Sequence, residues 1–286
     1  MQKDADVLKM IEESGLERIA DRIRKAALLS NRMIASPVDA ASVPIGCSRI
    51  GGRPDLPREE QWPTHQGEPL SFIAQVRLEE VPWKPEGLPE KGLLSFFYNA
   101  ADQPWGYNPE EAGQWRVLYH AEADRLERRL VPDGLKPVVE FDASAVDFSV
   151  QTTLPDWNAL VFRQLGFAEN ETERYIALTE QVAEHNAPAY PVHRFLGNPD
   201  QVQGEMQLKC QLVAHGIDCG DPSGYQDPRR AELEPGAAGW VLLLQIDSED
   251  ETEMIWGNFG FIYFWIHEED LRKRDFEKMW VILQCG

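Results

Sequence analysis

The chain has 286 residues, 43% of them hydrophobic, with 12 Phe, 7 Tyr and 9 Trp, which excludes a disordered chain and allows one large domain or two closely packed lobes. Its 28 Lys/Arg stand against 48 Asp/Glu, a net charge of -20 that repels nucleic-acid phosphates and anionic lipid headgroups. Four scattered cysteines exclude a disulfide framework, and no signal-like or membrane-length apolar run occurs, so a cytoplasmic protein with reduced thiols and no membrane insertion is expected.

Residues 1–34 carry seven Lys/Arg and six Asp/Glu, leaving 21 basic and 42 acidic residues for the remainder. Val7, Met10, Ile11, Leu16, Ile19, Ile23 and Ala27 recur at three- and four-residue steps, which predicts one amphipathic helix from Asp4 to about Ala35. Early acids and late bases suit the helix dipole, and Ser36-Pro37 supplies the stop. With no Trp or Phe, this segment is expected to pack on the body of the protein, giving an N-terminal element at 1–36 and a domain at 37–286.

Gly51-Gly52-Arg53-Pro54 is turn chemistry, and strands are predicted at Leu70 to Leu78 and, beyond a Pro-rich loop, at Leu93 to Tyr98. A Gly/Pro/Asn loop holding Trp105 and Tyr107 precedes a strand at Trp115 to Tyr119, and Glu169 to His185 reads as a helix. Three aromatic and β-branched strands follow at Trp240 to Ile246, Phe259 to Ile266 and Met279 to Leu283.

Two parts of the chain repeat each other. Arg49-Ile-Gly-Gly-Arg-Pro-Asp55 aligns with Arg194-Phe-Leu-Gly-Asn-Pro-Asp200, and the strand carrying Gln75 aligns with the one carrying Gln245. Glycines 92 and 260 then open an aromatic strand in each half, 17 and 15 residues beyond the glutamine. The expected fold is therefore α+β: an N-terminal helix and a duplicated β-rich core, with pseudo-symmetric strand-loop-strand units at about 48–150 and 190–286.

Gly-Gly-x-Pro-x-Leu-Pro at 51–57, Trp62-Pro63, the run from Pro69 to Val76, His193 to Gly204 and Trp256 to Phe264 together resemble the YwqG (DUF1963) family, a bacterial group of unknown function. The resemblance spans roughly Ser48 to Cys285 and implies an α+β fold with repeats and no established activity. Leu196 stands where the family often has glycine. Asn258 stands where an acid is common, which weakens any cation site at that point.

No nucleophile elbow, phosphate loop, dinucleotide fingerprint, His-Glu-x-x-His or Cys-x-x-Cys motif is present. His193, Cys210, His215 and Cys219 are zinc-capable but match no structural zinc spacing, so neither a metal nor a cofactor is expected. The acidic run Asp247 to Glu251 reads as a solvated hairpin or loop tip. Loop aromatics Trp62, Trp83, Trp105 and Tyr107 can serve as binding anchors or as caps on the core.

Candidate binding residues are Arg49, Arg53, Asp55, Trp62, Gln75, Trp105, Tyr107, His193, Asp200, Gln203, Gln245, Trp256 and Asn258, with the Arg-Asp pairs also readable as turn fixtures. The function expected is a non-enzymatic protein-interaction module, of immunity or regulatory type, for a basic partner. The alternative is an enzyme or small-ligand binder using a cleft between the halves where Gln75 and Gln245 converge.

Overall fold

The computed structural model describes residues 2–122, 125–132, 138–186 and 191–286. Helix α1 (Ala5–Glu13) starts at Asp4, whose carboxylate accepts the Asp6 N–H at 2.8 Å, and helix α2 is Ala20–Ala26. Strands β1 (Leu28–Pro37), β2 (Arg49–Ile50), β3 (Asp55–Pro57), β4 (Thr64–His65), β5 (Glu68–Pro69), β6 (Ser71–Arg77), β7 (Leu93–Tyr98), β8 (Trp115–His120), β9 (Leu126–Arg128) and β10 (Ser144–Thr153) follow. Helices α3 (Leu160–Leu165) and α4 (Glu171–His185) lead to β11 (His193–Phe195), α5 (Gln207–Ala214) and α6 (Arg230–Leu233). The chain closes with β12 (Trp240–Asp247), β13 (Phe261–His267), α7 (Glu268–Lys273) and β14 (Trp280–Gln284).

The single N-terminal helix expected to reach Ala35 is corrected: it breaks at Gly15, which has φ +71°, and the chain becomes strand from Leu28. Leu, Met, Arg and Ala in that stretch are good helix formers. Ten register pairs with β10 and three with β11 place it in the middle of the main sheet, and that tertiary pairing outweighs local propensity. The two short helices do pack on the body: Val7, Ile11, Leu16, Ile19 and Ile23 form a satellite core with Phe162, Tyr175, Leu178 and Val182.

Ten strands form one sheet in the order β14-β13-β12-β11-β1-β10-β2-β6-β7-β8, every neighbouring pair antiparallel. Its edges approach each other: the Trp115 and Trp280 rings are 4.9 Å apart, and Leu283 N–H donates to Trp105 C=O at 3.1 Å. The sheet is thus nearly closed around an interior where Phe96 meets Phe264 at 5.2 Å. The separate ribbons β3–β9 and β4–β5 lie apart from the main sheet, near a small cluster of Leu56, Trp62, Leu70, Phe72 and Phe97.

On either side of the central β1–β10 pair the chain makes similar local moves. In β6 the pairing with β7 shifts between Phe72 and Ala74, and the carbonyl of the intervening Ile73 accepts Gly51 N–H at 2.8 Å. In β12 the pairing with β13 shifts between Leu242 and Leu244, and the Leu243 carbonyl accepts Leu196 N–H at 3.0 Å. Gly51 has φ +65° and Leu196 φ +67°, so the left-handed turn that glycine adopts freely in one place is imposed on a leucine in the other.

Candidate functional site

Each of those turns leads into a cluster of arginine, aspartate and glutamine. Strand β2 sets Arg49 opposite Gln75 of β6. Arg49 Nη1 donates to Asp55 Oδ2 at 2.8 Å, Gln75 Nε2 donates to the same oxygen at 2.9 Å, and Gln75 Oε1 accepts Asp55 N–H at 3.0 Å. Gly46 N–H and Arg128 Nε, at 2.8 and 3.0 Å, complete the carboxylate's coordination. Both side chains of the Arg49–Asp55 pair are at most 1% exposed. Burial pushes the Arg49 guanidinium down to about 10, still charged at neutral pH. Burial also draws the Asp55 carboxyl upward, but Arg49, Arg128 and the donated hydrogen bonds outweigh it and hold it below the ordinary value. Arg49, Asp55 and Gln75 are closed off from solvent, and their bonds lock the turn.

The second cluster repeats the bonds and opens them to solvent. Arg194 of β11 faces Gln245 of β12; Arg194 Nη2 and Gln245 Nε2 each donate to Asp200 Oδ2 at 2.8 Å, and Gln245 Oε1 accepts Asp200 N–H at 2.9 Å. Here the Asp200 side chain is 45% exposed. It stands in the wall of a groove of about 900 Å³ bounded by α4, the end of β10 and the β12–β13 connection.

Five carboxylates line this groove (Asp156, Glu180, Glu184, Asp200 and Asp247) against two guanidiniums, Arg194 and Arg32. Arg32 of β1 sits directly across from Arg194, and burial followed by repulsion from Arg194 lowers its affinity for a proton. Burial raises the Asp247 carboxyl above the ordinary range although Val192 N–H donates to it at 2.7 Å. The Oε1 of Gln151, also in the wall, has no hydrogen-bond donor among the described residues. At the rim Phe259 is 65% exposed with φ +53°, a strained placement for a bulky side chain that presents its ring to solvent.

Beneath the groove lies a His–Glu pair. Asp247 N–H donates to His193 Nδ1 at 3.1 Å, which leaves Nε2 as the protonated nitrogen, 3.3 Å from Glu249 Oε2. Thr252 Oγ1 donates to the other Glu249 oxygen at 2.8 Å. Burial draws the Glu249 carboxyl upward, and His193 and Thr252 more than offset that. His193 is fully buried with both ring nitrogens engaged, so the pair is framework. The acidic run expected as a solvated tip is corrected in part: Asp250 and Glu251 are exposed at the turn, but Asp247 and Glu249 are buried, because Asp247 N–H and both carboxylates bond Val192 and His193.

The other sequence candidates divide. Gln75 and Gln245 do not converge: each is bonded within its own Arg-Asp cluster, and β2, β10, β1 and β11 stand between their strands along the sheet. Trp62 caps the small cluster near the β3–β9 and β4–β5 ribbons, its indole N–H donating to Leu70 C=O at 3.0 Å, and Trp256 is fully buried against Tyr98. Arg53 is exposed beside Glu140, and Asn258 donates to Gly286 C=O at 3.3 Å. Trp105 is 39% exposed; Tyr107 donates to exposed Gln203 at 3.3 Å and carries the Lys209 ammonium 3.3 Å above its ring. The four zinc-capable residues do not gather. His215 Nδ1 bonds Gln211 C=O, Cys219 bonds Ile217 C=O, and the described group with ligand atoms within 4.8 Å of one another is the exposed trio Asp4, Asp6 and His185.

Sequence reasoning missed Arg32, Gln151, Asp247 and Phe259 as groove residues. Phe259, expected within a strand from 259 to 266, lies outside it: the strand begins at Phe261, because the chain turns at Phe259 with φ +53°. The fold and groove define a mixed α and β protein with one large antiparallel sheet and an open acidic cleft. A family model described as "Domain of unknown function (DUF1963)" matches residues 48–285, so the chain belongs to this family, the YwqG-like group that its motifs resemble. No curated protein matches the chain. Among the described residues no helix is long and apolar enough to cross a membrane.

Proposed function

We propose that the protein is a non-catalytic interaction module whose groove takes a basic, extended segment of a partner protein. The observation that carries this reading is the groove's charge balance, five carboxylates against two guanidiniums, one of which, Arg194, is already paired with Asp200. Phe259 offers an apolar anchor at the rim. A net charge of -20 would steer a basic partner toward it. Such a module suits a regulatory or immunity-type role, in which the partner is held and not transformed.

Fluorescence anisotropy with a labelled arginine-rich peptide, and an oligoglutamate peptide as control, tests this. The basic peptide should bind, weaken steeply with added salt, and lose about tenfold or more in affinity in the Glu180→Lys/Glu184→Lys double variant, while Glu127→Lys on the β3–β9 ribbon leaves binding intact. Equal affinity for both peptides, or an unaffected double variant, removes the proposal.

We infer further that the two halves are copies of one unit. Support comes from the paired strand orders β2-β6-β7-β8 and β11-β12-β13-β14, the two register shifts and the two Arg-Asp-Gln clusters. A superposition of 49–120 on 194–284 in which these features fail to coincide would remove that inference.

A further inference from the structure

The acidic groove has its opposite in a recess of about 430 Å³ between α3, the 203–205 loop, the start of α5 and the turn at Tyr225. Its charged lining is Arg163, Lys209 and Arg230 against one carboxylate, Glu205, in a chain where acids outnumber bases 48 to 28. The loop is firmly held. Gln284, fully buried, accepts Val202 and Gln203 N–H at 2.9 and 3.0 Å and donates to Gly204 C=O at 2.9 Å. Glu205 accepts Leu208 N–H at 2.8 Å as α5 begins, and Arg230 donates to Glu234 at 3.2 Å and to Tyr225 C=O at 2.9 Å.

Lys209 has no such partner. It is 8% exposed, and its ammonium lies 3.3 Å above the Tyr107 ring with no hydrogen-bond acceptor or carboxylate in contact among the described residues. The nitrogen is not one of the sealed, unpartnered atoms of the interior, so it keeps surface open to solvent. Burial pushes the ammonium down to about 8, and Cys210, Cys219 and Glu205 offset only part of that. A ring face attracts a cation but carries no net charge, and proteins pair the charges they bury. Arg163, exposed in the same lining, likewise has no bonded carboxylate among the described residues. Two unpaired cations in one recess, one of them more than nine-tenths buried, call for an anion between them.

We propose that this recess binds a small organic dianion, a phosphomonoester or a dicarboxylate, whose charged oxygens accept hydrogen bonds from Lys209 Nζ and the Arg163 guanidinium. The volume lies within the range of small-molecule sites, about 300–1,000 Å³, and leaves room for the organic part beside the anionic group. A chain of net charge -20 repels anions in general, so binding here depends on these local cations.

Isothermal titration calorimetry of the full chain at constant ionic strength tests this, with methyl phosphate and malonate as probes and malonamide as the uncharged control. At least one dianion should bind with a Kd of about 1 mM or tighter while malonamide does not, and the tighter of the two identifies the anionic group. Lys209→Met should lose about tenfold or more in affinity. Arg163→Glu, at an exposed position, should lose as much with the circular dichroism spectrum and Tm unchanged, and it decides the matter if Lys209→Met does not fold. Arg53→Glu, the same charge change at an exposed position beside Glu140, should leave the affinity intact. No saturable binding of either dianion up to about 10 mM, equal losses in Arg163→Glu and Arg53→Glu, or full affinity in a folded Lys209→Met variant would each overturn the proposal.

Discussion

Asp55 and Asp200 each accept hydrogen bonds from an arginine and a glutamine and offer their own N–H to that same glutamine. They differ in what lies over them. Asp55 is covered, with Arg128 from the β3–β9 ribbon as a second cationic partner, and is fully buried; Asp200 looks into the groove. The same local chemistry thus serves as an internal lock where an added ribbon seals it and stands open in the groove wall at Asp200. The backbone beneath shows the same split. A Cβ on Gly51 would lie 2.0 Å from Asp142 C=O, whereas position 196 accommodates a whole leucine side chain at nearly the same φ.

The largest expected break in the comparison comes from removing one partner of each ion pair. Arg49→Met or Asp55→Asn leaves an uncompensated buried charge and should cost about 3–5 kcal/mol in urea unfolding. Asp200→Asn leaves Arg194, 6% exposed and opposite Arg32, without its carboxylate; because Asp200 itself is 45% exposed the loss should be smaller, about 1–2 kcal/mol, with weakened binding of the basic peptide. Comparable stability losses at the two aspartates would erase the distinction between lock and surface.

Next in size, Gly51→Ala should cost several kcal/mol, roughly 2–4, from a backbone collision in a left-handed turn. Leu196→Ala meets no such backbone penalty and should lose about 2–3 kcal/mol for the missing side chain alone. Refolded Gly51→Ala protein with near-normal Tm would show that the turn can relax.

Acid sharpens the contrast in sign. Asp55, held below its ordinary value, contributes stability that is present above about pH 4 and lost as pH falls through its folded value. Asp247, raised by burial, costs stability while ionised, and that cost is relieved as pH falls through its folded value. Between about pH 2 and 7, Asp55→Asn should flatten the acid limb of the stability curve and Asp247→Asn should steepen it. Parallel curves would contradict the assignment.

The smallest effect is expected at Phe259→Gly. Relief of the left-handed strain should raise stability by no more than about 1 kcal/mol, while loss of the exposed ring weakens the peptide complex. Unchanged binding would remove Phe259 from the recognition surface.

The aromatic strands were legible because apolar and β-branched runs of five to eight residues bounded by Gly and Pro have few other outcomes, and the Arg-x-x-x-x-x-Asp turns were legible because their residues recur in register. The chain by itself therefore determined its aromatic strands, its paired turns and its family. It could not show that 28–37 is a strand, since only β10 and β11 on either side make it one, nor that Arg32 meets Arg194 there. Which of two near-identical Arg-Asp-Gln clusters would be sealed and which left open was likewise decided by long-range packing: exposure depends on what the rest of the chain lays over a side chain, and local sequence does not encode that.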